Sequence, residues 1–108
     1  MKTLLATSAT AILLFAANAN AAELHQLTLL DGEVTPTEIT VKVGDTIEIM
    51  HIDADTAHDL YATDEAHSFD LTGMQHGDNY DFVVERPGTF VILCHSMDHM
   101  VITVHATE

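Results

Sequence analysis

The feature that most constrains this chain is a period-two alternation of apolar and polar residues, which recurs in short segments along its length. In residues 46–51, Ile47 and Ile49 alternate with Glu48, and residues 37–43 follow the same pattern. Because successive side chains of a β-strand point to opposite faces, this pattern predicts strands with one buried and one solvated face. The longer period of an amphipathic helix does not recur, so we expect any helix to be limited to one turn in a loop.

Turn signals bound these segments, and they include Asp31-Gly32, Gly44-Asp45, Gly77-Asp78 and Pro87-Gly88. The segments predicted as strands are residues 24–30, 37–43, 46–51, 57–62, 80–84, 89–94 and 100–105, with a brief pairing at residues 68–71. Short strands separated by turns about every 8–12 residues are typical of β-sandwiches and barrels. We therefore predict an all-β fold, an antiparallel Greek-key β-sandwich.

The first 21 residues are organised like a secretory signal peptide. Met1-Lys2 is a short basic start, residues 4–17 are apolar, and Ala19-Asn20-Ala21 is a small-x-small cleavage signal. The apolar stretch is too short for a membrane span, and no stop-transfer segment follows it. We expect cleavage after Ala21, with Ala19 as the second choice. Residues 22–108 then form a single exported domain, which we expect in the periplasm of a Gram-negative source, with an extracellular location as the alternative.

The charge of the chain is strongly unbalanced, with 17 acidic residues against three lysines and arginines and a net charge of −14 with neutral histidines. Lys42 and Arg86 would be the only strong bases left after removal of the signal peptide. Nucleic acid and anionic lipid are poor partners for such a surface. A basic protein or a cation suits it, and acidity that serves only solubility is an equally good explanation.

The chemistry-bearing residues concentrate in residues 90–104, FVILCHSMDHMVITV. Two apolar, β-branched runs enclose the single cysteine, two histidines and two methionines. One cysteine cannot form a disulfide within the chain, and an unpaired thiol in an exported protein is exposed to oxidation. Small exported domains often need a staple, so the thiol beside histidines indicates a metal-bound thiolate.

The spacing of the donors favours copper. Cys94 and His99 lie five residues apart across a tight loop, which lets a thiolate and an imidazole converge on one ion. A second imidazole must come from elsewhere, and His58, which follows a polar loop, is the candidate. With a thioether from Met100 or Met97, this is the soft, mixed donor set of a mononuclear electron-transfer copper site. Structural zinc, which usually takes two to four thiolates, is the alternative.

An ordered series of short motifs in this chain resembles the cupredoxins, the family of plastocyanin and azurin. The motifs are residues 34–36 (VTP), residues 39–47 (ITVKVGDTI), His58, Phe69-Asp70-Leu71, Gly77, residues 87–90 (PGTF) and Cys94. The resemblance covers about residues 34–104 and implies a cupredoxin-like sandwich that binds one type 1-like copper ion. The series Cys94-His95-x-x-x-His99-Met100 is also similar to the mononuclear copper loop of multicopper oxidases, which implies that Cys94 and His99 are ligands.

The chain departs from the family at the axial ligand. Azurin-like and oxidase-like loops place a methionine several residues beyond the ligand histidine, where this chain has Thr103 and Val104. The shorter amicyanin-like spacing places a histidine three residues and a methionine six residues after the cysteine, which are Met97 and Met100 here. Two registers follow: His99 equatorial with either methionine axial, or Met97 near-equatorial with Met100 axial. We favour His99 with Met100.

The predicted function is one-electron transfer between redox partners by Cu(I)/Cu(II) cycling, with a basic partner such as a cytochrome. The alternative is copper tolerance, storage or delivery, with a copper donor or acceptor protein as the partner. An enzyme is not expected, because no substrate-pocket or oxyanion motif accompanies Cys94. We expect His51 and His105 at the surface or a sheet edge, Met50 and Met74 in the core, and His95 in solvent.

Overall fold

The structure, a computed structural model, describes residues 21–54 and 56–108. The predicted signal peptide, residues 1–21, lies outside this part of the chain except for Ala21, so its prediction is untested. The described residues form nine strands: β1 (Leu24–Leu30), β2 (Glu33–Thr35), β3 (Glu38–Lys42), β4 (Thr46–His51), β5 (His58–Thr63), β6 (Ser68–Met74), β7 (Asn79–Val83), β8 (Gly88–Cys94) and β9 (Val101–Thr107). The same residues contain no helix, and hence none that could span a membrane.

The strands form two sheets, one with the order β2-β1-β4-β7 and the other with the order β3-β9-β8-β5-β6. Most neighbouring pairs are antiparallel, whereas β1 with β4 and β3 with β9 are parallel. The all-β sandwich predicted from the alternation is confirmed, and both of its sheets are mixed. The parallel pair of β3 with β9 joins the two strands that lie farthest apart in the chain among all the neighbouring pairs.

The alternation in the sequence agrees closely with the observed strands. β4 has the predicted bounds. The first and last residues of β5, β7, β8 and β9 each lie within about two residues of the predicted ones. Strand β2 is absent from the prediction because three residues are too few to display a period. Strand β6 extends further than predicted, through Gly73, whose positive φ of 82° a glycine tolerates and other residues rarely adopt.

One hydrophobic core lies between the two sheets, formed by the inward residues of the alternating strands. Its fully buried members are Leu27, Leu29, Ile47, Ile49, Leu60, Val84, Ile92, Ile102 and Val104. Each such side chain contributes roughly 1.5–3 kcal/mol by leaving water. Because β4 ends at His51, β5 begins at His58 and β8 ends at Cys94, the core positions three chemistry-bearing side chains at strand termini.

Candidate metal centre

Cys94 and His58 lie at the same end of the five-stranded sheet, on neighbouring strands. In the antiparallel pairing of β5 with β8, Leu60 is the partner of Cys94, and the His95 N–H donates to the Asp59 carbonyl just beyond that pair at 3.1 Å. His58 is therefore two residues from the residue opposite Cys94. Both side chains are buried, with 0% of His58 and 5% of Cys94 exposed. The structure thus places two of the predicted ligands on neighbouring strands at one end of the sheet.

The surroundings of His58 prepare one ring nitrogen for a ligand. Its Nε2 lies 3.4 Å from Oδ2 of the buried Asp53, and a neutral imidazole that donates from Nε2 has its lone pair on Nδ1. Within the described residues, this buried Nδ1 has no hydrogen-bond partner. Asp53 is itself held, because its Oδ2 accepts a hydrogen bond from the Gly32 N–H at 2.7 Å. A carboxylate on the far nitrogen is the usual support of a metal-binding histidine.

The loop after Cys94 folds back as a compact turn. The Met97 N–H donates to the Cys94 carbonyl at 3.4 Å, and the Met100 N–H donates to the Met97 carbonyl at 3.0 Å. Met100 is 2% exposed, whereas Met97 is half-buried and packs against the core. The Cys94 Sγ lies 3.5 Å from the Ser96 hydroxyl. Of the two candidate thioethers, that of Met100 is therefore the better shielded from water.

His99 is placed differently from the other predicted ligands. Its imidazole is exposed, and its Nε2 lies 3.4 Å from the Gly32 carbonyl. In the described part of the chain, no three His, Cys, Asp or Glu side chains are arranged to hold a metal ion. The structure therefore does not assemble the full predicted ligand set of His58, Cys94 and His99. Gly32 nevertheless connects two members of this set. Its carbonyl lies beside His99 Nε2, and its N–H donates to Asp53, the carboxylate that faces His58.

The donors at this end of the sandwich fit a copper ion. A thiol, an imidazole with an unpartnered lone pair and a buried thioether are the soft and intermediate ligands that copper prefers. The unpartnered Nδ1 of His58 is the structural observation that supports the fit, because a metal would take the lone pair that no described donor uses.

The expectation that His51 lies at the surface or at a sheet edge is wrong, because β4 lies between β1 and β7 in its sheet. His51 is 2% exposed, because it follows Ile47 and Ile49 on the inward face of β4. Its backbone is fixed by the Asp78 carbonyl, which accepts from its N–H, and by the Gly77 N–H, which donates to its carbonyl, both at 2.9 Å. The same alternation that predicted the strand places residue 51 inside, so the signal was present in the sequence.

The ring of His51 contacts that of His58. The ring centroids are 4.9 Å apart and the planes are tilted by 58°. Neither His51 nitrogen has a hydrogen-bond partner among the described residues. Leaving one such buried polar atom unpaired costs about 1–3 kcal/mol. Met74, predicted as a core residue, is buried there too, opposite His58 in the β5–β6 pairing.

His95 lies on the outer side of the same end. It is about half exposed, stacks on Tyr61 with a centroid distance of 3.8 Å and a tilt of 9°, and lies 3.6 Å from Asp70. Hydrogen bonds from Thr72, with a smaller one from His95, hold the pKa of Asp70 below its ordinary value. The His95 side chain is thus in solvent, as expected, and its contacts with Tyr61 and Asp70 hold it in place.

Comparison with known proteins shows the fold of the chain. No protein-family model and no curated protein matches the sequence. Among solved structures, the copper-containing nitrite reductase from Thermus scotoductus SA-01 superposes with a TM-score of 0.69 at 20% identity, over 78% of this chain and 22% of that one. The chain thus spans about a fifth of that enzyme.

Two small proteins match over most of their own length. A purple cupredoxin from Nitrosopumilus maritimus has a TM-score of 0.65 at 19% identity, over 77% of this chain and 99% of that one. A variant of amicyanin in its reduced Cu(I) form at pH 4 has a TM-score of 0.67 at 20% identity, over 82% and 87% of the two chains. The described chain therefore has the cupredoxin fold, as its motifs predicted.

Proposed function

We propose that this cupredoxin-fold chain is a small exported copper protein that carries single electrons between redox partners. One observation carries the proposal: Cys94 and His58 lie on paired strands at one buried end of the sandwich, and the His58 Nδ1 lone pair has no partner in the described chain. A bound copper ion supplies one-electron chemistry by alternating between Cu(I) and Cu(II).

The proposed ligands are the Cys94 thiolate, His58 and His99, with Met100 as the weak fourth ligand and Met97 as its alternative. β8 lies between β5 and β9 in the sheet, so Cys94 is held by a rigid strand end. Asp53 orients the His58 ring through Nε2. Side chains fixed in this way rearrange little when an electron arrives or leaves, and both Cys94 and Met100 are buried away from water.

The surface charge supports a basic redox partner, such as a cytochrome. A net charge of −14 steers a positively charged protein toward the chain, and salt weakens this steering beyond about 8–10 Å. The exposed His99 is where a partner would approach the centre. We propose the periplasm as the compartment and electron transport, without a catalytic residue, as the role.

A second candidate function is copper handling for tolerance, storage or delivery. The observation in its favour is the exposed position of His99, in the same loop as the exposed His95 and the half-buried Met97. Donors at the surface can pass an ion to another protein, in this case a copper donor or acceptor. Such a protein would exchange copper readily and cycle slowly between oxidation states.

The experiment is visible absorption and electron paramagnetic resonance of the copper-loaded residues 22–108. We expect an intense thiolate-to-copper band that bleaches reversibly on reduction and is absent in Cys94→Ser. His105→Ala is the matched control, because His105 bonds Glu38 at the β3 edge of the sheet. Slow redox cycling with rapid copper transfer to a chelator would favour the handling role, a colourless Cu(II)-loaded protein would contradict the electron carrier, and a chain that binds neither Cu(I) nor Cu(II) would contradict both.

A further inference from the structure

We propose that His51 is itself a metal-binding residue, which shares the ion with His58 from the opposite sheet. In the proposed ligand set, His58 is the only histidine that lies in a strand, and His51 would be a second. The bound ion would be Cu(I) or Cu(II). It rests on the proposed copper function and extends it to a residue outside the motifs of the copper loop.

The unpartnered atoms are the first argument. In the described residues, three buried side-chain nitrogens or oxygens lack a hydrogen-bond partner: Nδ1 and Nε2 of His51 and Nδ1 of His58. All three belong to two rings in contact, with centroids 4.9 Å apart. Buried polar groups are normally paired, so unpaired atoms on two rings in contact indicate a missing partner there. A neutral imidazole offers a lone pair, which a cation can accept.

Other buried polar side chains in the described chain show that this fold ordinarily satisfies them. His67 bonds Asp64 through Nδ1 at 2.8 Å, and its Nε2 accepts the Glu85 N–H at 2.8 Å. Asp45 accepts three hydrogen bonds. The histidine pair at the Cys94 end differs, which argues against a merely structural role for His51.

The geometry of the pair suits a shared ion. His51 ends β4 in one sheet and His58 begins β5 in the other, so the two rings meet across the interior of the sandwich. With metal–nitrogen bonds of roughly 2.0–2.1 Å, two imidazoles at a near-tetrahedral angle have ring centroids about 5 Å apart. The observed separation of 4.9 Å agrees with this value. Both backbones are anchored in sheets, so the spacing is fixed before an ion arrives.

The test measures apo stability and copper affinity of the same variants. His51→Leu should leave the melting temperature of the apo protein unchanged or higher, because it removes two unpaired polar atoms. It should weaken Cu(I) binding, measured anaerobically by competition with a chromophoric chelator, by roughly tenfold or more. His67→Leu is the matched control: its apo melting temperature should fall, because Asp64 and the Glu85 N–H lose their partner, with copper affinity unchanged.

A measurement on the unmodified chain removes any dependence on how a variant folds. In nuclear magnetic resonance spectra of the histidine ring nitrogens, the signals of His51 and His58 should shift together and saturate at one equivalent of Cu(I). The inference is overturned if the His51 signals stay in place. It is also overturned if His51→Leu keeps full copper affinity, whether or not the variant lowers apo stability as His67→Leu does.

Cys94→Ser in the same titrations separates this inference from the proposed function. If Cys94→Ser abolishes the thiolate band and His51→Leu changes nothing, the electron-carrier proposal stands and the role of His51 is refuted. If the wild-type chain shows no thiolate band but loses Cu(I) affinity in His51→Leu, the electron-carrier proposal fails and the histidine pair stands. If the wild-type chain binds no copper, both fail.

Discussion

The two ends of β4 are built in opposite ways. Before its first residue, Asp45 accepts hydrogen bonds from the Lys42 N–H, the His25 Nε2–H and the Glu23 N–H at 2.8–3.0 Å. At its last residue, His51 is equally buried and has no described partner for either ring nitrogen. The buried polar side chain at one end is fully hydrogen-bonded, whereas the one at the other end has no hydrogen-bond partner among the described residues. The difference separates the part of the molecule that maintains the fold from the part suited to a ligand.

The largest expected effect is stabilisation by copper, which acts at the open end. A ligand at about a thousand times its dissociation constant stabilises the folded state by about 4 kcal/mol. We expect copper to raise the melting temperature of the wild-type domain, followed by circular dichroism. The double variant His58→Leu, Cys94→Ser should show no such rise. Equal stabilisation of that variant would mean that copper binds elsewhere, and the contrast between the two ends of β4 would lose its meaning.

The next effect concerns the closed end. The Lys42 N–H hydrogen bond, helped by Glu23 and His25 and opposed by burial, lowers the pKa of Asp45 from 3.8 to about 2. Its folded-state pKa is below the unfolded value, so its stabilisation is present above about pH 4 and is lost as pH falls toward 2. Asp45→Asn should therefore cost about 1–3 kcal/mol at neutral pH and flatten the acid limb of the stability curve.

Denaturant unfolding of the apo protein at several pH values measures this effect. Copper affinity should be unchanged in Asp45→Asn, because the carboxylate lies at the other end of β4 from His51. A parallel loss of stability and copper affinity would show that the two ends are not independent.

A smaller effect is expected from Asp53, which joins the fold to the candidate ligands. Asp53→Asn replaces the carboxylate that faces His58 Nε2 with a weaker acceptor. Loss of such a supporting group typically weakens metal binding by about 10–100-fold. We expect a decrease in Cu(I) affinity in this range by chelator competition. Asp64→Asn, next to the satisfied His67, is the matched control and should leave affinity unchanged; equal losses in both variants would contradict the role of Asp53.

The smallest effect is expected from His95, although it neighbours Cys94. Its stacking on Tyr61 contributes about 1 kcal/mol or less, and its pairing with Asp70 is exposed to water, which screens it. His95→Ala should change stability by no more than this and leave the copper spectrum in place. A shifted thiolate band would place His95 among the residues that tune the centre.

The sequence was sufficient for the parts of the molecule that follow a local period. β4 was predicted to the residue, and the motif order around His58 and Cys94 predicted the cupredoxin fold. The error at His51 arose at the end of a strand, where a polar residue is usually read as the start of a loop. His51 shares the inward face of β4 with Ile47 and Ile49, and in the folded sandwich it is buried.

The arrangement of the candidate site was less accessible to sequence reasoning. The orientation of His99 depends on a contact with Gly32, which is 67 residues away along the chain. Asp53 meets His58 across a loop, and no local pattern distinguishes it from its acidic neighbours. Residue types and their order could predict which groups take part, whereas ring directions depend on contacts that form only once distant segments meet.

Gly32, in the turn between β1 and β2, connects the surroundings of the two candidate histidines His58 and His99. Its N–H holds the carboxylate behind one candidate histidine, and its carbonyl holds the other. The backbone there has a φ of 74°, so a side chain would strain the turn even where space is open. The β1–β2 hairpin thereby sets the relative position of the two candidate histidines, and displacement of that hairpin would move both at once.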